Sequence, residues 1–387
     1  GGASNIRQYL IENDLLEAII QLPNNIFYNT GITTYIWVLS NNKAPERKGK
    51  VQLIDASQLY EKLRKNLGEK NCAFTGEHIE QITRAYLKLT HTGKKAVDGL
   101  KAQVFDNRDF GYWKITVERP LRKSAQFTAE RIESLRFDNR LTTEMEWMYA
   151  QWGDSVYETG FLKDKKEALE DWLEAEQIDR KAGDKKKLLD TKFWSNRRDL
   201  VEAARKLHTE VGDDPTDDFN AFKDAVKAAN KQLKLKLSAS QLKQILDAVS
   251  WRDPEAKPVI QSQGIPELPP GYDFEQAERF GEYIVEDGSL VIYEPDSELR
   301  DSENVPMNYL EDETDMETVV TRYFDAEVKP HVDDAWIAQD KTVIGYEISF
   351  NKYFYVHQPL RDLDEVVQEI RDLEDETEGL LEKILNF

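Results

Sequence analysis

Phe27, Tyr28, Asn29 and Thr30 stand in a row inside the segment Pro23–Ile32, with Gly31 directly after them. Two rings beside an amide, a hydroxyl and a glycine are open to two readings. They form a recognition surface, or the rings cap a core while Asn29, Thr30 and Gly31 shape a turn. A basic strip follows at Lys43, Arg47, Lys48 and Lys50. It suits phosphate oxygens, or it is a solvated loop. Metal chemistry has no sequence support. The five histidines, at 78, 91, 208, 331 and 357, show no ligand spacing, and no His-Glu-x-x-His occurs. No Ser or Cys sits in a nucleophile context.

The elements that would hold the loop are plain in the pattern. Leu15–Leu22 and Thr33–Ser40 are strand-length runs rich in Ile, Val, Thr, Tyr and Trp. Both are almost continuously apolar, which predicts strands covered on both faces. Ser4–Asp14 spaces Ile6, Tyr9, Leu10 and Ile11 as a short amphipathic helix would. Val51–Ala56 reads as a further strand. Ser57–Lys70 and Glu77–Leu89 read as helices, the first from Leu59, Leu63 and Leu67 at every fourth position. In Asp109–Arg122, Ile115 and Val117 alternate with polar residues, predicting a half-buried strand ended by Pro120.

From Thr128 to Ser250 the composition turns helical. Thr143 with Glu146, and Ser238 with Gln241, have capping-box spacing, and Val211–Asp218 breaks the run. Arg180–Lys187 and Lys227–Lys236 are basic stretches read as exposed helix faces and ends. The tryptophans 147, 152, 172 and 194 are read as core anchors. Trp251–Asp273, with five prolines, is read as an extended connector. Asp287-Gly288 between two alternating apolar runs predicts a hairpin over Glu282–Glu294. Asp296–Asp315 is acidic and turn-rich. A helix is predicted over Glu317–Val328 and a strand over Val343–Val356. The last helix steps by three and four through Leu363, Val366, Ile370, Leu373, Thr377, Leu380 and Ile384. That is an a/d seam, narrower than a globular-core stripe.

Composition bounds the rest. With 387 residues, the chain has room for roughly two or three domains. A net charge of −21 argues against a surface that grips phosphates throughout, while permitting local basic strips. The single cysteine, Cys72, excludes an internal disulfide and suits a reducing compartment. No apolar run reaches membrane-spanning length.

Three blocks carry a family resemblance. IRQYLIENDLLEAIIQLPNNIFYNTGITTYIWVLSNNK with KGKVQLIDAS (Lys48–Ser57) is the first; DFGYWKITVERPLR (Asp109–Arg122) and HVDDAWIAQDKTVIGYEISFNKYFYVHQPLRDLDEV (His331–Val366) are the others. Together they resemble the modification subunit of type I restriction–modification systems, an adenine-N6 DNA methyltransferase. The resemblance implies that Phe27 or Tyr28 faces a target base taken out of the duplex stack, with Asn29 and Thr30 beside it. It implies DNA phosphates as the ligand of Lys43, Arg47, Lys48 and Lys50. The family's Gly-rich S-adenosylmethionine turn and its Asn/Asp-Pro-Pro-aromatic motif are not found. The only Pro-Pro, Pro269-Pro270, is preceded by Leu268, which offers no side-chain acceptor to an adenine amino group.

The expectation is therefore a C-terminal fragment, inactive alone, with S-adenosylmethionine bound by the parent and not by this chain. Its fold class is α/β plus mostly α. The last strands of a Rossmann-like methyltransferase sheet would span residues 1–125, a helical region 126–255, and connector, hairpin and C-terminal docking helix 256–387. Expected partners are double-stranded DNA and the specificity and restriction subunits, in the cytoplasm. The residues reserved for partner binding are Leu363, Val366, Ile370, Leu373, Leu380 and Ile384. The alternative is a non-enzymatic helical adaptor with an α/β remnant. The upstream reading frame separates the two: the Gly-rich turn and Asn-Pro-Pro-aromatic motif there favour the enzyme.

Overall fold

A computed structural model describes residues 1–265, 273–285, 287–357 and 362–385, with only the backbone described at 374–376 and 378–385. The architecture is mixed α/β. Residues 1–114, 304–319 and 343–387 form one compact unit; 115–303 and 320–342 form a second.

The first unit opens with helix α1 (Gly2–Glu12) and strand β1 (Leu16–Gln21). Strand β2 (Tyr35–Leu39) pairs antiparallel to β1, and β3 (Lys50–Asp55) pairs parallel on its other side. After β3 come β4 (Glu61–Leu67), β5 (Lys70–Ala73), helix α2 (Gly76–Leu87) and β6 (Lys101–Asp106), which is antiparallel to β3. The sheet order is β2-β1-β3-β6.

Period-two alternation sends neighbouring side chains to opposite faces. Ile20, Ile54 and Ala102 pack with Ala85, Ile82 and Tyr86 of α2. Ile19, Val51 and Leu53 pack with Phe110, Phe350 and Phe354. Buried Gln52 ties α2 to β3: its amide donates to the Ala85 carbonyl at 3.1 Å and the Thr90 carbonyl at 2.9 Å. The Ala85 carbonyl also accepts from the Thr90 N–H at 3.0 Å, just past the end of the helix.

Coverage on both faces holds for β1 and β3 but not for β2. That strand is at the sheet edge, and Tyr35, Ile36, Trp37 and Leu39 are exposed. In α1 only Ile11 is buried, while Ile6 and Tyr9 stay exposed.

The helix predicted over Ser57–Lys70 is not formed. β4 and β5 make an antiparallel hairpin that pairs Lys62 with Cys72 and Leu67 with Lys70. A spacing of four is also an even spacing, so Leu59, Leu63 and Leu67 satisfy a strand as well as a helix. Gly68 decides between them. It turns the chain with φ +64, which a helix interior cannot accommodate. The strand predicted over Val343–Val356 is also shorter. Val343–Tyr346 pairs with Gly111–Lys114; then Ser349 accepts from the Lys352 N–H and starts the helix Phe350–Phe354. Strand Lys101–Asp106 is not among the strands that the sequence predicts.

The second unit holds the predicted helices, at Ala129–Ser134, Thr142–Trp152, Lys166–Ala175, Ala182–Leu188, Thr191–Val211, Phe219–Gln232 and Ala239–Ala248. Trp194 is fully buried, its indole donating to the Leu188 carbonyl at 2.8 Å. Trp147, Trp152 and Trp172 pack around the same core. The Ser238–Gln241 capping box forms. Thr143 and Glu146 make none, because that helix starts at Thr142 behind Leu141. Glu282–Ile284 and Leu290–Tyr293 form the predicted hairpin, with Gly288 at φ +81, and Ile260–Gly264 adds a third strand. Pro266, Leu268, Pro269 and Pro270 lie outside the described residues. Asp301–Pro306 is a strand within the acidic stretch read as turns. The helix predicted to Val328 runs as Met316–Tyr323 and closes with a π-turn at Phe324–Val328. Among the described residues no helix is long and apolar enough to cross a membrane.

Candidate functional site

The segment between β1 and β2 is a loop of defined shape. The Leu22 N–H donates to the Thr34 carbonyl at 2.9 Å and closes its base. Thr33 donates to the Asn24 side-chain oxygen at 2.7 Å, and Asn25 takes the left-handed conformation at φ +57. Phe27 bridges to Thr30 at the tip. Leu22 and Ile26 are buried anchors, while Phe27 and Tyr28 are 46% and 64% exposed. Asn29 is exposed and Thr30 half-buried. The rings thus stand outside the core that their neighbours fill.

Hairpin β4–β5 holds this loop in place. The Glu69 N–H donates to the Tyr28 carbonyl and the Asn71 N–H to the Asn25 carbonyl, both at 3.0 Å. The Asn25 side-chain amide donates to the Glu69 carbonyl at 3.0 Å, and Lys70 Nζ donates to the Ile26 carbonyl at 2.9 Å. Lys70 Nζ also lies 5.5 Å from the centre of the Tyr28 ring, a cation–π distance. A Cβ on Gly68 would stand 2.5 Å from the Tyr28 carbonyl oxygen. The hairpin is therefore a brace that only a glycine lets approach so closely. Its importance was missed in the sequence, where the one available signal was Gly68 inside an apparent helix.

The basic strip divides. Lys43 is buried, donating to Asp14 at 2.6 Å and to the Lys50 carbonyl at 2.8 Å. Arg47 is buried too. It lies over the Tyr86 ring at 4.3 Å, donates to the Tyr86 carbonyl and stands 3.9 Å from Glu17. The Tyr86 hydroxyl donates to Glu17, and burial together with that carboxylate pushes the phenol pKa up. A lone Glu17 within an apolar strand was the sequence signal for this internal network. Only Lys48 and Lys50 reach solvent. The stretches Arg180–Lys187 and Lys227–Lys236 are partly neutralised, through Arg180 with Glu144, Lys187 with Asp184 and Lys227 with Asp224.

At the other end of the first unit, Leu363–Leu385 forms one helix. Leu363, Ile370 and Leu373 are exposed and Val366 is half-buried. The side chains of Leu380 and Ile384 lie outside the described residues. Among the described residues no group of three or more His, Cys, Asp and Glu is placed to hold a metal ion.

The first part of the chain is similar to known proteins. Residues 1–109 match the family described as N-6 DNA Methylase. The MjaVIII type I restriction enzyme methylase subunit of Methanocaldococcus jannaschii is 37% identical over 99 residues, covering 26% of this chain and 16% of that protein. The MjaVII methylase subunit of the same organism is 43% identical over 76 residues, covering 18% and 13%. A type I restriction–modification methyltransferase subunit of Streptococcus thermophilus, known from its crystal structure, is 31% identical, covering 27% of this chain and 19% of that one at a TM-score of 0.23. The matches thus span less than a fifth of each of these relatives. Residues 1–109, which contain both the aromatic loop and its brace, accordingly match the N-6 DNA methylase family that the sequence resembles.

Proposed function

We propose that this chain serves in an adenine-N6 DNA methylase of a type I restriction–modification system, where the loop of Phe27 and Tyr28 receives the target base. The carrying observation is that both rings face solvent on a loop held by four N–H hydrogen bonds to one hairpin and lying inside the family match. Solvent-facing rings on a rigid loop are surface for stacking, not core. Asn29 and Thr30 stand beside them as polar contacts. Tyr28, the more exposed ring and the one beside Lys70, is the preferred stacking partner.

The residues here do not fit S-adenosylmethionine. No Gly-rich turn joins a strand to a helix in the first unit: Pro23 follows β1, and α2 is entered through Thr75 after the hairpin. A cavity in this unit, lined by Asp109, Phe110, Tyr112 and Tyr353 among others, holds about 150 Å³. Cofactor sites usually hold roughly 300 Å³ or more, so this cavity is too small for one. The cofactor and the methyl-transfer residues are assigned to other parts of the methylase, and the β2 edge is where further strands of a Rossmann-like sheet would add. Lys48 and Lys50 remain candidates for DNA phosphates. The stripe of exposed Leu363, Ile370 and Leu373 with half-buried Val366, continued in sequence by Leu380 and Ile384, is assigned to docking on the specificity subunit, with the restriction subunit in the same complex.

The test is made in the assembled methylase. Tyr28→Ala is expected to lower methylation by the equivalent of about 1–3 kcal/mol of lost stacking while leaving the melting temperature nearly unchanged. Phe27→Ala measures the second ring. If both variants melt early and the folded enzyme retains its activity, the rings are packing groups and do not receive the base.

A further inference from the structure

Hairpin β4–β5 carries more than the brace. Its sequence from Glu61 to Lys70, EKLRKNLGEK, holds four basic residues and two acidic ones in a chain whose net charge is −21. Lys62, Arg64 and Lys65 are all exposed. None of the three is in an ion pair with a described residue. Exposed lysines without an ion pair to a described residue, such as Lys48 and Lys50, occur elsewhere too, but several other basic groups are neutralised. A cavity of about 660 Å³ in the second unit is lined by Arg119, Arg122 and Arg252. Arg119 and Arg122 pair with Asp334, and Arg252 pairs with Asp296 and Glu298. Lys43 and Arg47 are likewise absorbed inside the first unit. The hairpin's three cations are exposed and stand in no ion pair with a described residue.

Those cations ride on the same rigid piece as the base-receiving loop. β5 is hydrogen-bonded to the loop through Glu69, Lys70 and Asn71, and the turn at Gly68 abuts the Tyr28 carbonyl. The three cations lie within four consecutive residues of one strand, a span of at most about 10 Å. Duplex DNA presents one phosphate charge per roughly 1.7 Å of axis, so that span can meet several phosphates. A two-stranded ribbon is also narrow enough to follow a groove about 12 Å wide.

We propose that the β4–β5 ribbon is a DNA-backbone contact, with Lys62, Arg64 and Lys65 on phosphates beside the base received at Tyr28. The proposal rests on the methylase reading above. Its contribution is electrostatic and independent of sequence: it fixes the duplex against the loop and carries no base recognition.

The test compares the native complex containing this chain with the Lys62→Ala/Arg64→Ala/Lys65→Ala variant. Binding to duplex DNA is titrated between about 50 and 200 mM salt. The variant is expected to bind at least tenfold more weakly at low salt. The slope of log K against log salt should lose about 0.9 for each phosphate contact removed. The ratio of cognate to non-cognate affinity should not change. Lys65→Glu alone should show the same direction of effect if the triple variant proves poorly folded. Unchanged affinity and slope, with wild type binding and methylating normally, would overturn the ribbon and leave the methylase reading standing. Loss of complex assembly with normal DNA binding would also overturn it, and would assign the cations to an acidic protein partner. A wild-type complex that neither binds nor methylates DNA would overturn both.

Discussion

Lys43 shows how a surface-looking cation is used inside the fold. Asp14, at φ +54, accepts from Lys43, from the Gly49 N–H and from the Asn107 amide. Burial alone would raise the Asp14 carboxyl, but these three donors outweigh it and hold the pKa below its ordinary value of 3.8. Because the folded value is the lower one, the network's stabilisation is complete above the unfolded pKa. It is lost as pH falls below about 4 and through the folded value. Two outcomes follow. Lys43→Ala should cost about 2 kcal/mol at neutral pH, less than the roughly 3–5 of a fully buried pair because Asp14 reaches water. Asp14→Asn should flatten the loss of stability between about pH 5 and 3. Urea unfolding at several pH values checks both, and an acid limb as steep as wild type would exclude Asp14 as its source.

At the level of elements, the hairpin Glu61–Ala73 governs the loop Pro23–Thr34 although the two are far apart in sequence. Gly68 is the hinge of that relation. Gly68→Ala would force an L-residue to φ +64, at a cost of about 1 kcal/mol. It would also set a Cβ against the Tyr28 carbonyl. The hairpin must then withdraw, and the Glu69 N–H loses its acceptor. Hydrogen exchange at Glu69 and Asn71 is expected to speed up by at least tenfold in this variant, with methylation falling alongside. Unchanged exchange at both amides would mean that the loop keeps its shape without the brace.

On the scale of the whole molecule, the last helix leaves Leu363, Ile370 and Leu373 of its apolar stripe in water. Leu373 is 60% exposed, and a helix of this kind gains little stability without a surface to cover its seam. Leu373→Asp combined with Leu380→Asp is therefore expected to leave the melting temperature of the isolated chain within about 2 °C. Co-purification with a specificity subunit should be lost. Global unfolding of the double variant would place the stripe in this chain's own core. Intact assembly would move the partner contact elsewhere.

Local pattern alone determined a good part of this protein. The apolar runs at β1 and β3, the 3.6-residue period of α2, the capping residues Ser238 and Gln241 and the Asp287-Gly288 turn each state their structure within a few residues. The aromatic loop was legible for the same reason, being bounded by two such runs. Tertiary structure decided the rest. Leu63 and Leu67 suit two periods, and the turn at Gly68 with the pairing to Lys70–Ala73 chose the strand. Lys43 and Arg47 read as surface until Asp14 and Glu17, distant in sequence, came within reach. β2 has the composition of a covered strand and lies at an exposed edge. Composition records what a residue can tolerate, whereas burial depends on which distant segment arrives beside it.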